Sequence, residues 1–171
     1  MPYLLRHAHA GDKRAWTGPD LMRPLSTAGH READGLLTQL RDYPIGRILS
    51  SPAVRCLQTV EPLAARRGLT AEINEGLGVE GDPAALEALL VDPGAGELLV
   101  CSHGELIGTV LRRLVRGQLA ADSWPKGSTW VLEADGGQVQ RSRYLPPTAP
   151  PGYQPRLPLA PCVGGDPGCL G

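Results

Sequence analysis

Apolar positions along this chain recur in two rhythms. Short stretches at residues 2–5, 47–50, 70–73 and 97–101 are bounded by turn formers and predict strands. Between them apolar residues fall at helical spacing. Ala33, Leu36, Leu37 and Leu40 form the stripe of a first helix, capped by Ser26 or Thr27 and stopped before Pro44. Val54, Leu57, Val60 and Ala64 mark a second, in which Pro62 predicts a kink or an early break and Gly68 the end. Leu86, Leu89 and Leu90 follow an Asp82-Pro83 start signal. Ile107, Val110, Leu111 and Leu114 give a fourth helix closing near Gly117. Residues 130–133 and 139–142 flank Asp135-Gly136-Gly137, a hairpin signal.

Strands alternating with helices and closed by a hairpin predict a three-layer α/β/α sandwich with a mostly parallel central sheet. The stretch at 97–101, apolar throughout, is expected at its centre. The folded domain is expected to span 1–144. From 145 to 171 proline and glycine dominate without periodicity, which predicts a disordered or loosely packed tail. Pro147-x-x-Pro150 within it is a weak match to a proline-rich ligand.

Composition narrows the classes. Seventeen Lys and Arg against 18 Asp and Glu leave no basic stripe, so binding of a nucleic acid polymer is not expected. No apolar run is long enough to cross a membrane and no leader precedes the first strand, so the expectation is a cytoplasmic protein. Four cysteines, Cys56, Cys101, Cys162 and Cys169, are too scattered for a disulfide scaffold. Reduced thiols are expected, with a Cys162–Cys169 bridge conceivable only under oxidation. Oligomeric state is not legible.

In a parallel sheet three strand ends would share one edge, at Arg6-His7, at the Ser51–Arg55 turn and at Ser102-His103. Open α/β sheets bind ligands at that edge, and cations beside imidazoles suit an anion. The expectation is a single phosphoryl-transfer site. The long loop 6–25 carries Lys13, Arg14 and Arg23, read as mostly solvated charges at its mouth. His9 and His30 read as ordinary polar positions. His7-x-His9-x-x-Asp12 also has the look of a metal cluster, but Arg6 would place a cation beside the ion, and chemistry without a metal is expected.

Leu5-Arg6-His7-Ala8, the segment from Ser50-Ser51-Pro52 through Arg55 to Thr59, and Cys101-Ser102-His103-Gly104 resemble, in that order, the histidine phosphatase superfamily, which includes phosphoglycerate mutase-like enzymes. Arg23-Pro24-Leu25-Ser26-Thr27-Ala28-Gly29 resembles a segment of its short members. Those include phosphohistidine phosphatases and the phosphatase-like domain fused to some Nudix hydrolases. The resemblance implies a cofactor-free, metal-independent phosphohydrolase in which His7 becomes phosphohistidine. Arg6, Arg55 and His103 would hold the phosphoryl oxygens, and Gly104 would let the backbone approach them. Neighbouring cations would keep His7 neutral, as a nucleophile must be. For the leaving-group acid, larger members carry Leu-x-Glu. Counting to Leu77 puts Val79 at that position and Glu80 beside it, whereas Ile73-Asn74-Glu75 has the right shape four residues early; Glu80 is the preferred candidate. Expected substrates are a small-molecule phosphate ester or a phosphohistidine protein. A mutase would need a closed pocket that a short chain is not expected to build. The competing expectation is a catalytically silent phospho-ligand-binding module of the same fold.

Overall fold

The two-residue alternation of the strands decides which layer each side chain joins. In β1 (Tyr3–Arg6), Tyr3 and Leu5 face one way and Leu4 the other. In β4 (Leu98–Ser102), Leu99 and Cys101 oppose Leu98 and Val100. β2 (Arg47–Ser50) splits Ile48 from Leu49 in the same way. On the first face lie α1 (Thr27–Gln39) and α2 (Val54–Arg67), through Leu36, Leu40, Cys56, Val60 and Leu63. On the second lie α3 (Pro83–Val91) and α4 (Gly104–Leu114), through Leu86, Leu90, Ile107, Val110 and Leu111. The result is the expected three-layer α/β/α sandwich. The computed structural model describes residues 1–115, 119 and 124–148.

With β3 (Ala71–Ile73), β5 (Thr129–Asp135) and β6 (Gln138–Leu145), the sheet order is β3-β2-β4-β1-β5-β6. The first four strands run parallel and the last two are antiparallel. β4 lies between β2 and β1, as its unbroken apolarity predicts. The hairpin turns at Gly136-Gly137, whose φ values of 57° and 75° suit glycine and the twist of paired strands.

α1 is capped by Ser26, whose Oγ accepts from Gly29 N at 3.1 Å. The backbone of Ser26 also donates to the carbonyl of His9 at 3.0 Å, so the long loop lies against the helix start. Gly29 is needed there, because a Cβ would collide with that same carbonyl.

Two expectations for α2 are corrected. It runs unbroken through Pro62 to a left-handed cap at Gly68. Pro62 leaves the carbonyl of half-buried Gln58 without its helical donor, while buried Val60, Leu63 and Ala64 hold both halves to the sheet. Its inward face is also rotated from the expected stripe: Val54 and Leu57 are only half-buried, and Arg55, Cys56, Thr59 and Leu63 are buried. Apolar periodicity does not register a buried arginine and threonine. Those two residues turn the first half of the helix toward the strand ends.

β6 continues through Leu145, and the next residues are tied to α1. Gln39 Nε2 donates to the Pro146 carbonyl at 2.7 Å, and Thr148 Oγ1 to that of Glu32 at 2.8 Å. The rest of the expected tail, with Pro150, Cys162 and Cys169, lies outside the described residues, as does Gly117. Cys56 and Cys101 are free thiols. Among the described residues no helix is long and apolar enough to cross a membrane.

Candidate active site

Parallel pairing in register brings the three strand ends level. Arg6 lies opposite Ser102, and Ser50 opposite Cys101. Beyond the ladder, His7 N donates to Ser102 O and Ser51 N to Cys101 O, each at 3.0 Å. His7, Ser51 and His103 thus emerge together at the carboxyl edge. α2 and α4 begin there with free backbone N–H groups, which favour an anion.

His7 is 5% exposed, and its ring lies 5.3 Å from that of His103. Its Nδ1 is 2.8 Å from the carbonyl of Ala8. A carbonyl only accepts, so Nδ1 carries the proton and Nε2 keeps its lone pair. The pKa of His7 is pushed down to about 2. Burial is the largest cause, the Ala8 bond opposes it, and the charges of His103, Arg55 and Arg6 add to it. The cations expected to keep this imidazole neutral are therefore secondary to its desolvation.

Two guanidiniums act on His7, that of half-buried Arg6 and that of buried Arg55. Arg6 donates from Nη1 to the carbonyl of Trp124 at 2.9 Å, and burial lowers its pKa. Gly104 lies against Arg6: a Cβ there would stand 2.5 Å from its Cζ. Arg55 is 3% exposed and donates from Nη2 to His103 Nδ1 at 3.2 Å. The Nε atoms of both arginines are buried without a hydrogen-bond partner among the described residues. A buried orphan donor costs about 1–3 kcal/mol and more when charged, which an entering anion would recover.

His103 is 2% exposed, with both ring nitrogens engaged. Guanidinium only donates, so Nδ1 accepts from Arg55, and Nε2–H points to Ser51 Oγ at 2.8 Å, with Cys56 Sγ 3.7 Å away. A hydrogen bond from His103 to a phosphoryl oxygen, as the sequence suggests, requires this proton to change sides.

A residue that sequence reasoning passed over completes the ring. Asp20, in the 3₁₀ turn Asp20–Met22, accepts from Arg55 Nη2 at 3.0 Å through Oδ2 and from Nη1 at 2.6 Å through its backbone carbonyl. Its Oδ1 accepts from Arg23 Nε at 2.9 Å, and Arg23 Nη1 donates to Ala10 O at 2.7 Å. Arg23 is 7% exposed, so it is a buried clamp and not the solvated charge expected. Lys13 and Arg14 are exposed, as expected. Also missed is Lys126, half-buried in a turn whose Gly127 N reaches the carbonyls of Arg6 and His7, each at 3.1 Å. Burial and then Arg6 and Arg23 lower the pKa of this lysine. The i,i+3 spacing of Asp20 and Arg23 could have signalled the first pair. Nothing local signals Lys126.

A cavity of about 520 Å³ opens beside Arg55 and His103, with the carboxylates Asp20, Glu75, Glu80 and Asp82 on its wall. Glu75 and Glu80 both reach it and both are exposed. Leu77 between them is buried, its carbonyl held by Ser102 Oγ at 2.7 Å. A larger groove of about 710 Å³ runs along the hairpin past Glu87 and Arg113, away from this chemistry.

His7, His9 and Asp12 are not brought together as a ligand cluster. His7 bonds Ala8, His9 Nδ1 lies 2.7 Å from Ser26 Oγ, and Asp12 accepts from Arg14 N at 2.9 Å, so the three side chains serve different partners. Among the described residues no three His, Cys, Asp or Glu are grouped to hold an ion.

One family model, described as the histidine phosphatase superfamily (branch 1), matches residues 2–78, which contain Arg6, His7 and Arg55. An 8-oxo-(d)GTP phosphatase of Mycolicibacterium smegmatis is 32% identical over 155 residues, 84% of this chain and 47% of that protein. The chain thus spans about half the length of that curated relative. Among solved structures, the protein histidine phosphatase SixA complexed with tungstate superposes with a TM-score of 0.70 at 24% identity, over 86% of this chain and 96% of that one. A protein assigned as the phosphohistidine phosphatase SixA of Agrobacterium tumefaciens gives 0.68 at 25% identity, over 85% and 97%.

Proposed function

Because this chain belongs to the histidine phosphatase superfamily, we propose that it is a metal-independent phosphohydrolase working through a phosphohistidine on His7. One observation carries the reading: the bond from Nδ1 to Ala8 leaves the lone pair of a buried, neutral imidazole on Nε2, under the charge of two guanidiniums whose Nε donors are unmatched among the described residues. A purely anion-binding site would be better served by a permanent cation at that position.

In the proposed reaction Nε2 attacks phosphorus in line, and charge spreads over three equatorial oxygens. The planar forks of Arg6 and Arg55 hold those oxygens, and the positive ring that depresses the basicity of His7 also stabilises the phosphoryl charge. His103 joins by moving its proton to Nδ1 while Ser51 turns its hydroxyl hydrogen toward Nε2. The leaving group departs into the cavity, where Glu75 and Glu80 stand on the wall. Water then releases phosphate. Substrates in scope are phosphate monoesters and phosphohistidine, the latter favoured by the SixA proteins that share the fold.

The test is rapid acid-free quench with a labelled phosphodonor, with EDTA present throughout. Acid-labile, base-stable label on His7 and steady release of phosphate are expected, and His7→Ala should remove both. Binding of phosphate without label or turnover would leave the silent module instead.

A further inference from the structure

We propose that Asp20, and not Glu80, protonates the leaving group and later takes the proton from the attacking water. This rests on the phosphatase reading above and adds a catalytic residue to it.

Position is the first ground. Among the described residues Asp20 is the carboxylate paired with Arg55, at 3.0 Å, and it also lines the cavity into which the leaving group departs. Arg55 in turn contacts His103, whose ring faces that of His7. Glu75 and Glu80 share the cavity, but they are exposed and neither is paired with Arg55 among the described residues.

Tethering is the second ground. Phosphoryl oxygens need the terminal nitrogens of Arg55, so their entry takes Nη2 away from Asp20 Oδ2. The residue cannot drift off, because Oδ1 stays on buried Arg23 and Arg23 is fixed to the Ala10 carbonyl. Oδ2 is left beside the phosphoryl group, on the cavity side.

Charge is the third. In the free site burial raises the carboxyl pKa, and the Arg23 hydrogen bond with the charges of Arg55 and Arg23 more than offsets this, so the group is held below its ordinary value. A phosphoryl group on Arg55 neutralises one of those charges and adds a like charge next to the carboxylate, which reverses the shift. The acid would thus be made by the substrate.

The steps balance. The reacting form is the ester monoanion, populated below the second phosphate pKa of about 6, and its proton passes to Asp20 Oδ2. The Nε2–P bond forms as the P–O bond to the leaving group breaks, and Asp20 gives the proton to the departing oxygen. The products are a neutral alcohol and a phosphohistidine that still carries Nδ1–H. In the second step water attacks phosphorus, Asp20 accepts its proton, the N–P bond breaks, and the electron pair returns to Nε2. The proton then leaves with phosphate.

The experiment compares Asp20→Asn, Asp20→Glu and Glu80→Gln on two esters. One is 2,4-dinitrophenyl phosphate, whose leaving group needs no proton; the other is an alkyl phosphate, whose leaving group does. General acid catalysis contributes about 10²- to 10⁴-fold, so Asp20→Asn should lose at least about 100-fold in kcat/KM on the alkyl ester and less than about 5-fold on the aryl ester. Asp20→Glu should recover part of the alkyl activity, and Glu80→Gln should treat both esters alike. Binding of inorganic phosphate by each variant reports a folded pocket. Equal losses on both esters in Asp20→Asn would reduce Asp20 to a positioning residue for Arg55 and overturn the proposal. Leaving-group-dependent loss in Glu80→Gln would overturn it in favour of Glu80. A wild-type protein that binds phosphate yet turns over neither ester removes the phosphatase reading itself, a different result from either.

Discussion

The imidazole of His7 gives its Nδ1 proton to the carbonyl oxygen of Ala8 across 2.8 Å, one residue along the same chain. So short a loop-back fixes the tautomer without a carboxylate partner, and it leaves the ring buried and neutral.

The first prediction concerns pH. The pKa of His7 is about 2 in the folded protein, against an ordinary value of 6.5. Between those values the unfolded chain binds a proton that the folded one does not, so stability from this residue is full above pH 6.5 and falls as the pH drops toward 2. The loss is about 1.4 kcal/mol per pH unit, or roughly 2 kcal/mol between pH 6.5 and 5. Urea titrations stepped through that range should give a steeper slope for the wild type than for His7→Gln. Between pH 5 and 7 this imidazole should give kcat/KM no acid limb, and the rate should fall as the pH rises through about 6, where the ester loses the proton it carries in.

Gly104→Ala separates packing from alignment. The new Cβ would sit 2.5 Å from Arg6 Cζ and 2.8 Å from its Nε and Nη2, so the guanidinium must move. Stability should hardly change, since alanine suits a helix start and a side-chain end yields cheaply. A displacement of about 1 Å in a substrate clamp can cost about 100-fold, and kcat/KM should fall by about 10- to 100-fold with an unchanged melting temperature. Activity within a factor of two would show that Arg6 need not hold its present place.

Most of this framework was legible because it depends on local pattern. Strand alternation, the Ser26 cap, the Asp82-Pro83 start and the Gly-Gly turn are each written in a few neighbouring residues. The meeting of His7, Arg55 and His103 was legible once the strands were taken as parallel. What was not legible depends on contacts distant in sequence. Asp20 reaches Arg55 across 35 positions, and Lys126 is brought to His7 by a turn bonded to the end of β1. Arg23 looked like one more loop charge, because nothing nearby shows that the Ala10 carbonyl would bury it. The α2 stripe was displaced for the same reason: a buried Arg55 and Thr59 obey the site and not the apolar period.

Ser51 is the residue that sets the proton of His103. With Arg55 donating to Nδ1, the hydrogen of Nε2 points to Ser51 Oγ at 2.8 Å. Nitrogen-15 spectra of the ring should therefore show a protonated Nε2 in the free protein, moving to Nδ1 when tungstate or phosphate occupies the site. In Ser51→Ala the partner is lost and Cys56 Sγ at 3.7 Å is a poor substitute. A buried donor without a partner costs about 1–3 kcal/mol, and turnover should drop by about 10-fold because the proton no longer has a return path. A ring that stays protonated on Nε2 with anion bound would mean that His103 contacts the phosphoryl group without donating to it.

The acidic wall of the cavity predicts which leaving groups are tolerated. Four carboxylates, Asp20, Glu75, Glu80 and Asp82, line the space beside Arg55 and His103. A neutral alcohol or the imidazole of phosphohistidine departs along that wall without penalty, whereas the diphosphate of a nucleoside triphosphate meets like charge. Glu75 and Glu80 are exposed, so the repulsion is screened, and it should be strongest at low salt. A double variant Glu75→Gln, Glu80→Gln should raise kcat/KM on a nucleoside triphosphate by about 3- to 10-fold, as expected for two screened charges, while leaving an aryl phosphate, which carries no charge beyond its phosphoryl group, within a factor of two. The gain should shrink as salt rises from about 0.05 to 0.5 M. If the double variant improved both substrates equally, or neither, the wall would have no part in choosing the substrate, and the choice would have to lie with Lys126 and the loop around Asp20.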